Sequence, residues 1–341
     1  MKKVTYKSFQ SNILEYLKTR YPAPDQEEKE DFFDLMLEEI LDNGIADRII
    51  ELYALGNSTR QIGDWIRRYF GYQIPGETIN LITDCVLPEL HTWQNRQLNA
   101  VYPIVWVDAI QCKVMNEKNM STTQTAYWLL AAGCNGYKDI LGTYISEDSG
   151  VYFWLSVLTD LKKRGVNDIL FACTDNLPGF SDAAKSVFPD TVVQTGMVYL
   201  IRNSLKDVAS KHRKTFVKDL KQVYQAENKE TAENKLDKLE MYPGKFYPLI
   251  VKSWRDYFHN IVSGFQYPEA VRRMIYATNA VESFYNQIRK IIKNKGIFSN
   301  NTEVEKLFYL AYQNIRKPWN MPLSHWKQTK QELTKCFPHK L

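Results

Sequence analysis

The chain has 341 residues and a formal net charge of +5, and 44% of its residues are hydrophobic while 24% are charged. These values are ordinary for a globular protein with room for a sizeable core and two or three modules. The most apolar stretches, YWLLAAGC and ILFAC, are far too short to span a bilayer, and the N-terminus lacks the apolar core of a secretory signal. We therefore expect a cytoplasmic protein that has no membrane partner.

The spacing of the cysteines and the absence of phosphate-binding loop motifs argue against two further classes of function. The five cysteines are scattered and form no CxxC pair, which predicts reduced, buried thiols and argues against a zinc site. The sequence has no glycine-rich phosphate loop and no Rossmann or P-loop signature. These absences argue against small-molecule metabolism.

Charge is distributed unevenly along the chain. Residues 201–341 contain 26 Lys and Arg but 13 Asp and Glu, a balance of +13, whereas residues 1–200 have a balance of −8. A basic half-chain favours binding to a polyanion through counterion release. A solvated helical surface would give the same asymmetry, so charge alone leaves both interpretations open.

The first 98 residues are predicted to be helical. Residues 1–44 carry apolar residues at helical spacing, which fits a candidate dimerisation helix or simply a packed helix face. Residues 45–98 contain three predicted helices with glycine-containing turns, IADRIIELYALGN, TRQIGDWIRRYFG and PGETINLITDCVL, which fit a small all-α, helix-turn-helix-like DNA-binding module. The third helix carries Glu77 and Asp84 but no Lys or Arg, so a plain three-helix packing unit fits equally well.

Residues 99–200 show β-strand patterns. YPIVWVDAIQ, QTAYWLLAAGC and KDILGTYIS are β-rich runs, and Asn135-Gly136 is typical of a hairpin turn. A helix, SGVYFWLSVLTDLKKRG, the strand NDILFACTD, a short helix and a fifth strand, TVVQT, follow. The order βββαβαβ predicts the first part of an RNase H-like α/β core. In its mixed sheet the first and fourth strands are adjacent.

The rest of the chain is predicted to be helical. Residues 201–270 are basic and form a predicted helical insertion, and residues 271–341 contain the helix TNAVESFYNQIRKIIK followed by two C-terminal helices. Thr278 or Asn279 is expected to cap this helix, which would place Glu282 in its first turn.

Three acidic residues are the candidate functional residues. Asp108 lies in an apolar strand, Asp175 ends a second one, and Glu282 lies on the basic helix. An ionised carboxylate in an apolar strand is costly unless it is paired or binds metal. Either aspartate alone would be explained as a strand-end carboxylate that caps a turn. Together with Glu282, however, they can hold two Mg²⁺ ions, which predicts phosphodiester chemistry on DNA.

Six long stretches carry a resemblance to a known family. They are ELYALGNSTRQI, VLPELHTWQNRQL, YPIVWVDAIQCKV, FWLSVLTDLKKRGVNDILFACTDNLPGF, LIRNSLKDV and IYATNAVESFYNQIRKIIKNKG. From about Ile45 to Pro322 the chain resembles the mutator-type transposases of bacterial insertion sequences, a branch of the DDE transposase superfamily. The resemblance implies an RNase H-like catalytic domain with a helical insertion between the second Asp and the Glu.

The resemblance also implies a catalytic centre and its cofactor. The triad is Asp108, Asp175 and Glu282, which would hold Mg²⁺, with Mn²⁺ as a substitute. Water would attack a phosphodiester at the element's end, and the freed 3′-OH would then attack target DNA without a covalent enzyme intermediate. Asp108 would bridge both ions, while Asp175 and Glu282 would each complete one side.

The implied partner is double-stranded DNA, as element ends and as target, bound by a homodimer or higher oligomer associated with the nucleoid. Basic side chains are expected to hold its phosphates: Arg202, Arg289, Lys290, Lys293 and Lys295. Arg289 follows Glu282 by seven residues and is therefore expected on a similar face of the helix.

Some positions depart from the family pattern. Gly196 and Tyr199 stand where the family usually has a Cys or Asp and then a His, and Asn176 replaces a usual Gly. The segment before ELYALG is also shorter than usual, as in a degenerate or internally shortened copy. Three alternatives remain: an active DDE transposase, a catalytically impaired DNA-binding derivative, and an RNase H-like nuclease without strand transfer.

Overall fold

The computed structural model describes residues 44–71, 74–175, 177–195, 197–276 and 278–341. The candidate dimerisation helix of residues 1–44 therefore lies, except for Gly44, outside the described residues. In chain order the described helices are α1 Ile45–Ala54, α2 Thr59–Phe70, α3 Gly76–Asp84, α4 Leu87–Gln94, α5 Val151–Lys163, α6 Phe180–Val187, α7 Met197–Lys206, α8 Ser210–Tyr224, α9 Lys229–Met241, α10 Pro248–Asp256, α11 Phe258–Ser263, α12 Glu269–Ile275, α13 Thr278–Lys295, α14 Asn301–Ile315 and α15 Trp326–Cys336. The strands are β1 Val101–Met115, β2 Ser121–Ala132, β3 Lys138–Ser146, β4 Asp168–Thr174, β5 Val192–Thr195 and β6 Ile297–Phe298.

The described residues form two compact units. The first, here called the helical unit, contains the described residues up to Asn95 together with Cys112–Thr123 and Asn286–Lys317. The second, the sheet unit, contains Arg96–Gln111, Gln124–Tyr285 and Pro318–Leu341. Each unit is assembled from segments that are distant in sequence, because β1, β2 and α13 each run from one unit into the other.

The start of the helical unit follows its local sequence signals, with one exception. Ser58 begins α2 with a capping box, because its hydroxyl accepts from the Gln61 N–H at 3.3 Å while the Gln61 side chain accepts from the Ser58 N–H at 2.8 Å. The run PGETINLITDCVL was expected to form one helix, but α3 ends at Asp84. A new helix, α4, begins at Leu87 with Pro88 in its first turn, where proline is tolerated.

The sheet is mixed and its strands follow the order β3-β2-β1-β4-β5, with β6 pairing with β1. Strands β2 and β3 are antiparallel and joined at Asn135-Gly136, where Gly136 has a φ of +82°. Strand β1 pairs with β4 in parallel, and β4 pairs with β5 in parallel. The expected adjacency of the first and fourth strands is therefore confirmed. Strand β6, only two residues long, was not expected.

Both faces of the sheet are covered by apolar residues within the sheet unit. On one face, Val105 and Val107 belong to a buried cluster that includes Trp154 of α5 and Phe180 of α6. On the other face, Trp128 of β2 contacts Phe284 of α13 edge-on, with ring centroids 5.1 Å apart. Strands buried on both faces explain the nearly continuous hydrophobic runs of this part of the sequence.

Helices α7 to α12 connect β5 to α13, and none of their described residues forms a strand. They have a core of their own, in which Phe216, Leu220 and Trp254 are fully buried. The Trp254 indole N–H donates to the Ser204 hydroxyl at 2.8 Å. Across the described part of the chain, no helix combines the length and the hydropathy that crossing a membrane requires.

Candidate active site

The pairing of β1 with β4 brings two of the three candidate carboxylates to equivalent positions. The register aligns Trp106 with Cys173 and Val107 with Thr174, so Asp108 and Asp175 are the next residues on the two strands. Asp108 lies within β1 and is 4% exposed, and its carboxylate accepts from the Ala109 N–H at 2.9 Å. Asp175 follows the last residue of β4 and is half-buried. Although 67 residues apart in sequence, the two aspartates thus each follow directly after the last residue that pairs β1 with β4.

Side-chain alternation decides the face on which Asp108 lies. Because Val105 and Val107 point into the cluster around Trp154, Asp108 points to the opposite face of the sheet. On β4, the Cys173 thiol lies 3.7 Å from the Ile275 carbonyl oxygen, just ahead of α13, and burial raises the pKa of this thiol. Asp175 lies two residues after Cys173 and directly follows the end of β4.

Helix α13 packs on this second face of the sheet. The Tyr285 hydroxyl donates to the Trp128 carbonyl oxygen at 3.2 Å, and the neighbouring Phe284 contacts the Trp128 ring. Glu282 is the fifth residue of the helix and half-buried. The expectation that it lies in the first turn is wrong, because the helix already begins at Thr278 and its first turn contains no acidic residue.

The structure does not gather all three acidic residues into one cluster. Within the described ranges, no group of three or more His, Cys, Asp or Glu side chains is arranged to hold a metal ion. Asp108 and Asp175 are neighbours by register, whereas Glu282 lies on the helix that covers the same face. The chemistry of the three side chains nevertheless fits a metal site, because carboxylate oxygens are the ligands that hard divalent cations prefer.

Tyr224 connects the helical insertion to the surroundings of Glu282. Burial, and secondarily the negative charge of Glu282, raises the pKa of Tyr224 to about 12. Its ring lies 5.8 Å from that of Tyr276 and 6.3 Å from that of Trp254. Tyr224 was missed by sequence reasoning, because at the end of α8 it follows the same apolar spacing as the ordinary core residues Phe216 and Leu220.

The predicted phosphate-binding side chains have different environments. Lys290 and Lys293 are exposed, and Arg289 is half-buried with its guanidinium 3.5 Å from the Asn286 side-chain oxygen. The Lys295 side chain, in contrast, is only 5% exposed in the helical unit and forms an ion pair of 2.5 Å with Glu303. Its charge is thus satisfied inside the protein.

Several predicted positions lie outside the described residues. Asn176 and Gly196 are not described, and the side chains of Tyr199 and Arg202 are not described either, although α7 includes both positions. The family departure at Gly196 and Tyr199 and the phosphate contact expected from Arg202 therefore remain predictions.

Comparison with known proteins gives a consistent family. The family model described as Transposase, Mutator family matches residues 4–321. The chain is 38% identical over 292 residues to the transposase for insertion sequence element ISRM3 of Rhizobium meliloti (strain 1021), which covers 85% of this chain and 73% of that protein.

Other relatives extend the similarity to further bacteria. A probable transposase for an insertion sequence element of Corynebacterium diphtheriae is 37% identical over 272 residues, covering 80% of this chain and 79% of that protein. The transposase for insertion sequence element IS256 in transposon Tn4001 of Staphylococcus aureus is 22% identical over 274 residues, covering 80% of this chain and 70% of that protein. All three are named as insertion-sequence transposases.

Proposed function

Because this chain belongs to the Mutator family of transposases, we propose that it cuts DNA at the ends of an insertion sequence and joins the freed 3′-OH to target DNA. The observation that supports this proposal is the register of β1 with β4, whose last pair, Val107 with Thr174, immediately precedes Asp108 and Asp175. The packing of α13 on the same face supports a role for Glu282 as the third carboxylate.

We further propose that the sheet and its helices form an RNase H-like catalytic core. The support is the strand order β3-β2-β1-β4-β5, with β1 central and parallel to β4, together with the helical segment between β5 and α13. In such a core, catalytic carboxylates come from the central strand, from the end of its parallel neighbour and from a later helix.

Asp108, Asp175 and Glu282 would hold Mg²⁺ or Mn²⁺, because their carboxylate oxygens are the ligands that hard cations prefer. Bound metal would supply Lewis-acid polarisation of the phosphate and activation of the attacking oxygen. The chain itself would place the two aspartates by strand register and would exclude water from Asp108 by burial. The proposed site requires the three carboxylates to approach one another when metal and DNA bind.

We propose that exposed basic side chains hold the duplex. Lys290 and Lys293 are suited to phosphate contacts because they are exposed, and Arg289 is suited as a partly accessible donor. In the module predicted to bind the element's ends, α2 exposes Arg60, Arg67 and Arg68, although Arg67 also pairs with Asp64 at 3.2 Å. This basic face would supply the phosphate contacts that α3, which carries Glu77 and Asp84 but no Lys or Arg, cannot make. The active form would be a dimer or higher oligomer on DNA at the nucleoid.

A metal-dependent cleavage and joining assay tests the proposal. The substrate is DNA that flanks this gene, and the full chain is compared with Glu282→Gln in Mg²⁺ and in Mn²⁺. Joined products that disappear in the variant would support an active transposase. Nicks without joined products would indicate a nuclease, and retained DNA binding without any product would indicate an impaired DNA-binding derivative.

A further inference from the structure

The end of α9, the turn that follows it and the start of α10 expose four large apolar side chains. Met241 is 74% exposed, Tyr242 60%, Phe246 53% and Leu249 78%. All four lie within nine consecutive residues of the sheet unit. Of the four, Tyr242 and Phe246 are neighbours in space, and exposed apolar patches on a protein surface often mark a binding site.

The first turn of α8 holds these rings in place. The imidazole of His212 stacks on the Phe246 ring, with centroids 5.6 Å apart and an interplanar angle of 28°. His212 Nδ1 also lies 2.8 Å from the Tyr247 hydroxyl oxygen, which accepts from the Ala209 N–H at 3.2 Å. The rings of Tyr242 and Phe246 lie 5.9 Å apart, nearly perpendicular to each other. The exposed rings are therefore oriented by ordered contacts.

One lysine lies over the same rings, and further basic residues are exposed on the helix turn that carries His212. The Lys245 ammonium lies 5.2 Å from the centroid of Phe246 and 5.8 Å from that of Tyr242. The first turn of α8 adds Lys211, Arg213 and Lys214, which are exposed. Within the described part of the chain, no carboxylate forms an ion pair with any of these four cations.

We propose that this aromatic–basic surface, formed by Tyr242, Lys245 and Phe246 with Lys211, Arg213 and Lys214, binds an unpaired DNA strand. The rings would stack on bases and the cations would hold the phosphates, which is how proteins bind single strands without reading their sequence. The inference rests on the proposed function, because DNA cleavage is what frees a strand end to leave the duplex.

The chemistry of the surface favours an unpaired strand over other occupants. In a duplex each base face is already covered by its neighbours, so exposed rings at a protein surface can stack only on unpaired or terminal bases. The centres of protein–protein interfaces are depleted in lysine, whereas here Lys245 lies over both rings. The excess of cations also complements a polyanion.

Binding measurements on the full chain test the proposal. Fluorescence anisotropy would compare a labelled oligothymidylate with a duplex of equal length, in the Glu282→Gln background so that no cleavage occurs. Phe246→Ala and Tyr242→Ala should each weaken binding of the single strand by about fivefold or more, with little effect on the duplex. Phe246→Trp should restore binding, since it keeps a stacking surface.

A matched control separates stacking from a general loss of exposed aromatic surface. Tyr152 on α5 is 88% exposed in the same unit, and Tyr152→Ala should leave single-strand binding unchanged. Unchanged binding in both Phe246→Ala and Tyr242→Ala, with native circular dichroism, would overturn the proposal. A change in sedimentation without a change in single-strand affinity would assign the surface to a second copy of the chain and would also overturn it.

Photocrosslinking tests single-strand binding at this surface separately from DNA cleavage and joining. An oligonucleotide with 5-iododeoxyuridine should form adducts at Tyr242 or Phe246, located by mass spectrometry. Adducts there in a protein that never cleaves DNA would refute the transposase activity and support the surface. Cleavage by a protein whose adducts lie only elsewhere would support the activity and refute the surface.

Discussion

The Lys295 ammonium lies 2.5 Å from the Glu303 carboxylate, and their side chains are only 5% and 12% exposed. The Tyr53 ring lies 4.7 Å from the same ammonium, and the Tyr53 hydroxyl donates to Glu303 at 3.3 Å. The Ser299 N–H adds a hydrogen bond of 2.6 Å to the carboxylate. A lysine that the sequence assigned to DNA phosphates thus holds together the end of α13, α14 and α1 within the helical unit.

This ion pair predicts a pH dependence of stability. Burial would raise the pKa of Glu303, but the Lys295 charge and the bonds from Lys295 and Ser299 outweigh burial and lower it. A folded-state pKa below the unfolded value, about 4.3, means that the carboxylate stabilises the fold above that pH. The stabilisation is lost as the pH falls through the lower folded-state value.

The matching variant is Glu303→Gln, which leaves a buried ammonium without its counterion. We expect it to lower the free energy of unfolding at pH 7 by about 3–5 kcal/mol. Urea unfolding between pH 7 and pH 3 should show the difference from wild type shrinking below about pH 4. The control is Glu51→Gln, which removes the exposed pair with Arg48 and should cost no more than about 1 kcal/mol. Equal effects of both variants would contradict the buried-pair assignment.

The basic residues of α13 should separate into two classes in DNA binding. Lys290→Ala and Lys293→Ala should each reduce the slope of log affinity against log salt by about 0.9, because each removes one phosphate contact. Lys295→Ala should leave this slope unchanged and instead destabilise the helical unit, since its charge is paired internally. Duplex binding titrations from low to moderate salt would measure both slopes. A reduced slope in a stably folded Lys295→Ala would show that the ion pair opens for DNA.

The parts of the fold and of the candidate site that could be predicted are those whose sequence signal lies within a few neighbouring residues. The strands around Asp108 and Asp175 are long apolar runs, and the turn at Asn135-Gly136 has its own chemistry, so the sheet could be predicted. Strand β6 could not be predicted, because a strand of two residues shows no hydrophobic periodicity. The partner of Lys295 could not be predicted either, because Lys295 differs in burial from Lys293 through tertiary contacts with Tyr53 of α1 and Glu303 of α14.

The close approach of Trp326 to Gly136 predicts that even a substitution by alanine at Gly136 lowers the free energy of unfolding strongly. Gly136 has a φ of +82°, and a Cβ placed on it would overlap the Trp326 ring of α15. Gly71 has nearly the same φ, +83°, but no atom of another described residue lies within 4 Å of a Cβ placed there. Gly71→Ala should therefore cost about 1–2 kcal/mol from backbone strain alone. Gly136→Ala should cost clearly more in denaturant unfolding, and equal costs would mean that the Trp326 contact is not made.

The carboxylates on the sheet should be essential for chemistry and dispensable for binding. Asp108→Asn keeps the size of a buried side chain while removing a charge and a metal ligand, so the fold should persist and cleavage should fall to background. Asp175→Asn and Glu282→Gln should do the same, whereas duplex affinity should change by no more than about twofold, because phosphate contacts are made elsewhere. Asp148→Asn, an exposed carboxylate after β3, is the control and should cleave like wild type. If Glu282→Gln alone cleaved at the wild-type rate, the aspartate pair would remain the metal site and a different third ligand would be required. If Asp108→Asn cleaved at that rate, the proposed catalytic centre would be refuted.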